Sequence, residues 1–483
     1  MQTTPAPFPS VGDNARWLAS AQIAKTVIQL AGLSVLSRLL SPADFGVMAI
    51  ATVVGNFAGL LRDMGTGAAL VRTREMSAAL ANAVFWINTG VGVSIALTII
   101  VFSAPLARLF DSVSLRPVLC GVALTFPVMS FGAVHQALLE RRSQFRTVAR
   151  TDVVSYASGM CAAIVAARLG CGVASLVIQA LVHSTVSSAQ YFLASAWRPS
   201  LGWDGREARS ILAFSSHLTL SNVVMYLNRN ADSMIVGKML GALALGPYSL
   251  AFKIMLYPLQ SIAQVASKAL YPVLSTCQSD LDRQRTAYLQ SVSFVALITA
   301  PLMGGLVALR EPFVMFALGG KWLGVASLLL WLAPVGFVQS LLSATPAVFM
   351  AKGRTDRLLL LNCAGATVHV VAWLAGARFG VQGIAAGYLL ATLLSAPVYL
   401  GATARLLEMP LSRLLSALRW QVLLGGGVYI VAMVVNRTVA PFGWPGAVRL
   451  LVAGALGTAY GLWHVSRFSP EQMGALRRAL RLA

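Results

Sequence analysis

The sequence predicts an all-α polytopic membrane protein, and its composition, apolar runs and charge distribution carry this prediction. Of its 483 residues, 57% are hydrophobic and only 11% are charged, whereas soluble globular proteins contain about 25% charged residues. The apolar residues form long runs that short polar segments separate. Because no polar segment is long enough for a catalytic or receptor domain, the composition excludes a soluble enzyme.

The apolar runs predict the number of membrane crossings. A helix needs about 20 largely apolar residues to cross about 30 Å of hydrocarbon. Fourteen runs of suitable length follow one another along the chain: 17–40, 45–61, 79–102, 115–139, 152–168, 172–195, 211–236, 245–273, 287–309, 323–351, 358–377, 381–404, 418–436 and 446–466. We expect Pro105, Pro127, Pro258 and Pro301 to kink or end helices.

The basic residues predict the orientation of these spans. The chain has 37 Lys and Arg against 16 Asp and Glu, a net charge of +21. With a cytoplasmic N-terminus, and with cations near a span end counted with the adjacent segment, 23 cations fall at the inner segments, 10 at the outer segments and 4 deeper within spans. Cations favour cytoplasmic loops, so both termini are predicted to be cytoplasmic. Since the cations are spread over short loops, nucleic-acid binding is not expected.

The sequence lacks the residue patterns of ATP-binding loops, metal sites and redox cysteine pairs. Gly319-Gly-Lys321 is followed by Trp322, so the chain has no ATP-binding P-loop. Its five cysteines show no C-x-x-C spacing, and no dense cluster of metal-ligating residues occurs. We therefore expect neither an enzyme nor a metal or cofactor site, and transport is the function that remains. Coupling to an H⁺ or Na⁺ gradient stays open.

A repeat is visible at the hairpins that follow the first and the seventh span. The two segments, 200 residues apart, are Ser37-Arg-Leu-Leu-Ser-Pro-Ala-Asp-Phe-Gly46 and Gly237-Lys-Met-Leu-Gly-Ala-Leu-Ala-Leu-Gly246. They predict two parallel six-helix repeats, over 1–205 and 206–406, followed by two further spans and a tail over 407–483. Transporters built from such repeats place their site between the halves, near the middle of the bilayer.

Polar side chains on three predicted spans predict a cationic cavity. Such groups are costly in hydrocarbon and usually face protein or water. The candidate substrate-binding residues share faces of the first, seventh and eighth spans: Gln22, Lys25, Gln29, Asn222, Arg229, Lys253, Tyr257, Gln260 and Gln264. Asp232 is the candidate for an ion pair or for ion coupling. Arg229 and Asp232 are three residues apart, so their role is either to neutralise one another or to bind substrate.

Five segments resemble the polysaccharide transporter family, the Wzx-type flippases of the multidrug/oligosaccharidyl-lipid/polysaccharide (MOP) superfamily. The likeness is greatest to its exopolysaccharide and colanic-acid export branch. The segments are Ser37 to Gly46, Arg62-Asp-Met-Gly65 leading to Ala69-Leu-Val-Arg72, Phe85-Trp-Ile-Asn88, Arg229 to Gly241, and Leu245 to Lys253. Pro247 departs from the expected pattern, and the last two spans carry no clear resemblance.

The resemblance implies a function and a shape. It implies a V-shaped pair of six-helix bundles in the bacterial inner membrane, with alternating access to a central cavity. The implied substrate is an oligosaccharide on undecaprenyl pyrophosphate, flipped between leaflets for exopolysaccharide or lipopolysaccharide biosynthesis. Membrane lipids, a polysaccharide polymerase and export machinery are the other implied partners. A cation-coupled drug antiporter of the same superfamily and a non-transporting scaffold of a polysaccharide-synthesis complex remain as alternatives.

Overall fold

The computed structural model of the chain is helical throughout the part that it describes, which is residues 11–63, 78–200, 205–258, 264–277, 280–442 and 445–468. None of these residues belongs to a β-strand. The chain divides into two compact units, Met1–Gly246 and Pro247–Ala483. The two units are defined by their internal packing and not by the sequence repeat. The repeat boundary at 205–206 therefore stays a prediction.

In its described residues, the first unit contains seven complete α-helices and most of an eighth, which crosses the unit boundary. They are α1 (Val11–Leu39), α2 (Pro42–Asp63), α3 (Ala78–Leu109), α4 (Leu115–Ala123), α5 (Thr125–Arg141), α6 (Phe145–Arg168), α7 (Ala174–Ala194) and α8 (Gly205–Pro258). Buried Val84 and Phe85 of α3 pack against Val134 and Leu138 of α5, so these antiparallel spans share one apolar core.

The second unit begins in the last part of α8 and holds the remaining helices. They are α9 (Gln264–Thr276), α10 (Leu281–Ala308), α11 (Arg310–Ala317), α12 (Leu323–Leu342), α13 (Thr345–Ala351), α14 (Thr355–Ala377), α15 (Gly380–Leu406), α16 (Leu411–Val439) and α17 (Gly446–Phe468). Tyr288 of α10, Val348 of α13, Leu400 of α15 and Leu414 of α16 meet in its main core. The last two spans thus pack with the helices that precede them.

The helices confirm a polytopic membrane protein. Within the described ranges, 10 helical segments are long and apolar enough to cross a bilayer. The other four predicted spans lie in α1, α6, α7 and the first part of α8, which are helical but more polar. The shortest of them, α7, has 21 residues, so at 1.5 Å per residue it is about 32 Å long. In the described ranges, each predicted span therefore lies largely on helical structure.

The structure places the expected turn between the seventh and eighth spans at Gly241, where φ 79° and ψ 176° are non-helical and two helical stretches of α8 meet at a kink. It corrects two other local expectations. α11 is a short helix where only a loop was expected. The predicted spans 115–139 and 323–351 each consist of two helices. Pro105 and Pro301 lie inside α3 and α10, so they do not end these helices, and a kink at either position stays a prediction.

A capping box begins α2 and gives the Ser-Pro-Ala-Asp motif a structural role. The Ser41 backbone N–H and hydroxyl donate to Asp44 Oδ2 over 2.9 and 2.6 Å, and the Asp44 N–H donates to the Ser41 hydroxyl over 3.2 Å. Pro42 takes the first helical position, where no N–H is needed. In the second repeat, the matching break lies at Gly241, 200 residues later. The two repeats therefore change direction at the same position by different means.

We predict that Ser41→Ala lowers the free energy of unfolding by about 1 kcal/mol, because it leaves the Asp44 N–H at the start of α2 without its cap. The measurement is unfolding of the purified protein in mixed micelles, with amide hydrogen exchange at Asp44. Ser327→Ala is the matched control, since the exposed Ser327 hydroxyl only donates to the Gly324 carbonyl one turn earlier. Equal destabilisation by the two substitutions would contradict the capping role.

Candidate functional site

Lys25 joins three helices of the first unit through one carboxylate. Its Nζ donates to Asp152 Oδ2 over 3.0 Å, and the Tyr191 hydroxyl donates to Asp152 Oδ1 over 2.9 Å. Lys25 lies on α1, Asp152 on α6 and Tyr191 on α7. The two oxygens of Asp152 thus have separate donors, so Tyr191 can hold the carboxylate in place even when Lys25 moves away.

The environment of this ion pair is neither dry nor fully solvated. The Lys25 and Asp152 side chains are 28% and 36% exposed, and Tyr191 is buried. On the same helix face, Gln29 is half-buried and Gln22 is exposed. A cation that is half-buried and held by a single carboxylate can exchange that carboxylate for another anion at small cost in desolvation. The arrangement is therefore suited to binding an anionic group.

Sequence reasoning missed both partners of Lys25. Asp152 is the first residue of the predicted span 152–168, where it resembles an interfacial loop residue, but α6 begins two turns earlier at Phe145. A half-buried lysine in a membrane helix needs a counter-charge. This requirement, applied to the few carboxylates near span ends, is the signal that could have found Asp152. Nothing in the sequence singles out Tyr191.

Among the candidate residues in the first part of α8, the structure describes the side chain of Asp232 but not those of Asn222 and Arg229. Asp232 is buried in the first unit, with 1% of its surface exposed. Asn222 and Arg229 lie on the helical backbone of α8, but their side chains are outside the described part. Near them, the Tyr226 hydroxyl donates to the Val53 carbonyl of α2 over 2.9 Å. The choice between a structural and a binding role for Arg229 and Asp232 stays open.

The two repeat hairpins pack against each other in the first unit through reciprocal glycine contacts. A Cβ on Gly46 would overlap the carbonyl oxygen of Ala242, and a Cβ on Gly246 would overlap the carbonyl oxygen of Pro42. Only glycine permits such an approach of two helix backbones. Because Pro42 matches Ala242 and Gly46 matches Gly246 in the repeat, the same contact is made twice.

A salt bridge lies beside this glycine contact. Lys238 Nζ is 3.3 Å from Asp111 Oδ2, and the two side chains are 49% and 82% exposed. Exposed pairs of this kind contribute little to stability because water and salt screen them. Asp111 lies between α3 and α4, so this pair does not join α8 to α2, and the backbone packing at the glycines makes that contact.

Lys253 lies in the second unit, where an aromatic stack fixes the rotation of its helix. The Phe252 ring lies between those of Tyr248 and Tyr388, with centroids 6.1 Å from each. Gln339 Nε2 donates to the Tyr388 hydroxyl over 2.8 Å, which anchors that end of the stack. Since successive residues of a helix are about 100° apart, Lys253 points away from the stack and is exposed.

The remaining predicted residues of this stripe extend beyond the described side chains. Tyr257 is half-buried near the end of α8. Gln260 lies outside the described residues, and Gln264 begins α9 but its side chain is outside the described part. Lys25 and Asp232 belong to one unit, whereas Lys253 and Tyr257 belong to the other. A single cavity that unites them therefore stays a prediction.

We predict an interaction energy between Lys25 and Asp152 of about 1 kcal/mol or more in a double-mutant cycle with alanine, because both side chains are partly withdrawn from water. The measurement is the free energy of unfolding of the two single variants and the double variant in mixed micelles. The exposed pair Lys238 and Asp111 is the matched control, and its interaction energy should lie close to zero. Equal values for the two cycles would show that Lys25 and Asp152 are no better coupled than a surface pair.

Two solved structures share the fold of the chain. One is the lipid II flippase MurJ in an inward closed conformation, with a TM-score of 0.73 and 13% identity, covering 94% of this chain and 100% of that one. Another is an inward-facing multidrug resistance MATE family transporter of the MOP superfamily, with a TM-score of 0.63, 17% identity, and coverage of 80% and 94%. The chain therefore has the fold of MOP-superfamily transporters.

Sequence comparison identifies relatives in polysaccharide biosynthesis. The chain is 24% identical to the lipopolysaccharide biosynthesis protein WzxC of Escherichia coli (strain K12), over 79% of this chain and 78% of that protein. It is 23% identical to the teichuronic acid biosynthesis protein TuaB of Bacillus subtilis (strain 168), over 97% and 98%. It is 27% identical to the succinoglycan biosynthesis transport protein ExoT of Rhizobium meliloti (strain 1021), over 65% and 63%.

The family profile described as "Polysaccharide biosynthesis protein" matches residues 35–327, which is more than half of the chain. The matched segment includes α2 with its capping box, the reciprocal glycine contact and the ion pair partner Asp152. This many-helix membrane protein therefore belongs to the family of polysaccharide biosynthesis proteins.

Proposed function

We propose that the chain is a flippase that carries undecaprenyl-pyrophosphate-linked oligosaccharides across the bacterial inner membrane, with both termini in the cytoplasm. The observation that carries this proposal is the half-buried Lys25, held by one carboxylate inside a membrane-spanning helical unit. Membership of the family and the transport role in the name of ExoT support it. Contacts with a polysaccharide polymerase and export machinery belong to the same proposal.

The ion pair provides a means of binding and releasing a pyrophosphate. At rest, Asp152 neutralises Lys25, which avoids an isolated charge in the bilayer. An arriving pyrophosphate offers several charged oxygens and replaces Asp152 on Lys25, while the Tyr191 hydroxyl keeps its bond to Asp152. When the substrate leaves, Asp152 returns to Lys25. The cation is thus never without an anionic partner during the cycle.

The other polar residues supply the remaining contacts. Lys253 is exposed and forms no ion pair within the described part of the chain, so it is a second cation for the pyrophosphate. Gln22 and Gln29 continue the face of Lys25 with amide groups that suit sugar hydroxyls. Asp232 is the residue that we assign to ion coupling, together with an H⁺ or Na⁺ gradient as the driving force.

In the proposed cycle, the glycine contact between the repeat hairpins closes the outer side of the transporter. In the proposed orientation, Gly46 and Gly246 lie near the outer ends of their spans, because each follows a hairpin that leaves the membrane outward. Substrate release to the outer leaflet requires this contact to separate, and return of the empty site requires it to re-form. Both steps depend on side chains small enough for backbone contact.

We predict that Lys25→Ala and Lys253→Ala each slow the translocation of a lipid-pyrophosphate oligosaccharide by about tenfold or more, since a charge-assisted contact is worth about 1.5–3 kcal/mol. Asp152→Asn should instead tighten binding of this ligand about fivefold, because Lys25 no longer has a competing charge worth about 1 kcal/mol. The measurements are leaflet translocation in proteoliposomes and ligand affinity in detergent.

Lys352→Ala, which removes one cation from the predicted cytoplasmic loop before α14, is the control and should change translocation less than about twofold. Unchanged translocation in both lysine variants at equal protein amount would contradict the proposed site. Intact export with cavity variants in cells would favour the scaffold function.

We predict that Gly46→Leu abolishes turnover, because a leucine cannot fit against the Ala242 carbonyl and the outer contact cannot close. Gly59→Leu is the matched control on the same helix, since a Cβ at Gly59 meets no atom within 4 Å. Turnover in proteoliposomes and cysteine accessibility from the outer side are the measurements. Normal turnover of the Gly46 variant would exclude a requirement for closure at this point.

The carboxylates Asp152 and Asp232 favour a second candidate, the cation-coupled drug antiporter. Both lie on helices of the first unit, and carboxylates there are a means to bind cationic drugs or to couple protons. Thermal stabilisation by a panel of cationic drugs, compared with a lipid-pyrophosphate oligosaccharide, separates the two functions. Stabilisation by the drugs alone would assign the chain to drug transport.

A further inference from the structure

A cavity of about 460 Å³ opens at one end of the antiparallel helices α14 and α15, within the second unit. Two of its eight lining residues are basic, Arg357 and Arg405, and the other six are apolar: Phe349, Leu360, Leu361, Ala364, Ala402 and Leu406. Arg357 is in the first turn of α14 and Arg405 is in the last turn of α15. Both guanidinium groups therefore lie at the same end of the helix pair, where these spans meet the membrane surface.

The two helices meet backbone to backbone at the opposite end, and a tyrosine lies between them nearer the cavity. A Cβ on Gly376 would overlap the Gly383 carbonyl, and a Cβ on Gly383 would overlap the Gly376 carbonyl. Small residues allow membrane helices this close packing. Nearer the cavity, the Tyr399 side chain of α15 packs against Gly365 of α14, and its hydroxyl donates to the Leu361 carbonyl over 2.9 Å. A tyrosine therefore bridges the two helices on the side of the cavity.

The described part of the chain leaves the two basic groups at the cavity available to a ligand. Within it, no carboxylate forms an ion pair with Arg357 or Arg405, and both residues are exposed. Arg357 also lies at the N-terminal end of α14, where the helix dipole is positive and favours an anion. Two guanidinium groups on one cavity are therefore suited to an anionic partner from outside the protein.

The cavity wall faces the bilayer. Leu360 is 70% exposed and its neighbour Leu359 is 61% exposed, on a helix that crosses the membrane. Leu361 and Ala364 follow Arg357 by one to two turns, which places them up to about 10 Å deeper in the membrane. A ligand of this cavity therefore has an anionic head at the interface and an apolar part that extends along the helices.

We propose that this cavity binds an anionic phospholipid, with its phosphate between Arg357 and Arg405 and an acyl chain against the apolar wall. Basic pockets between membrane helices bind phospholipid head groups in this manner. The lining contains no amide, hydroxyl or carboxylate side chain, so it offers little to the hydroxyl groups of an oligosaccharide. The phospholipid is thus a better match than the lipid-linked sugar of the proposed transport cycle, and the site is separate from Lys25.

The test is a titration of the purified full chain with dioleoylphosphatidylglycerol and dioleoylphosphatidylcholine, followed by native mass spectrometry. The double variant R357Q/R405Q should bind phosphatidylglycerol about 30-fold more weakly, at about 1 kcal/mol for each cation, and phosphatidylcholine with little change. The matched control R354Q/R413Q removes two exposed arginines that do not line the cavity. It should change phosphatidylglycerol affinity less than about threefold.

A variant that fills the cavity and a single charge variant complete the test. A402W fills the cavity without changing any charge and should also weaken phosphatidylglycerol binding, and R405Q alone should weaken it about fivefold if the double variant does not fold. Equal losses in R354Q/R413Q would overturn the proposal in favour of general surface charge. Glycerophosphoglycerol that competes as well as the intact lipid would reduce the site to a phosphate site. Displacement of phosphatidylglycerol by a lipid-pyrophosphate oligosaccharide at lower concentration would make it a substrate site.

Discussion

The cost of placing charges and unpaired polar groups in hydrocarbon constrains every functional feature of this chain. A membrane helix satisfies its own backbone, so only side chains can carry the chemistry, and each charged one needs a partner. Lys25 shows the consequence, because its partner Asp152 comes from a helix more than 120 residues away. The same bond that makes the charge tolerable also joins α1 to α6, and Tyr191 adds α7. The candidate site and the packing of the first unit are therefore the same contact.

Close helix approach is the second means by which this sequence builds a transporter, and glycine provides it at several places. At Gly46 and Gly246, backbones of the two repeat hairpins meet without side chains between them, and α14 meets α15 in the same way at Gly376 and Gly383. Contacts without intervening side chains can separate and re-form with little rotamer entropy lost. Nearer the cavity, the Tyr399 side chain lies between α14 and α15 and bonds across the pair.

The sequence predicts the helices well and the site only in part. Apolar runs fix where the membrane helices lie, because the length of a span depends on the bilayer and on local composition. The repeat predicts a break within 237–244, but the sequence does not show that it lies at Gly241, since Gly237 permits the same backbone conformation. Lys25 could be found because a lysine in an apolar run is conspicuous. Asp152 could not, since its importance comes from a long-range contact and its position at a span boundary looks ordinary.

The cost of an isolated charge in the bilayer explains why the ion pair suits a transport cycle. A site made only of cations would be unstable when empty, whereas a permanently neutralised site would not bind an anion. A single carboxylate at 3.0 Å from Lys25, with 28% and 36% of the two side chains exposed, lies between these extremes. The Tyr191 hydroxyl holds Asp152 so that the carboxylate stays near while its place on Lys25 is taken. In the proposed cycle, substrate binding replaces one anion on Lys25 by another, so no isolated charge lies in the low-dielectric interior.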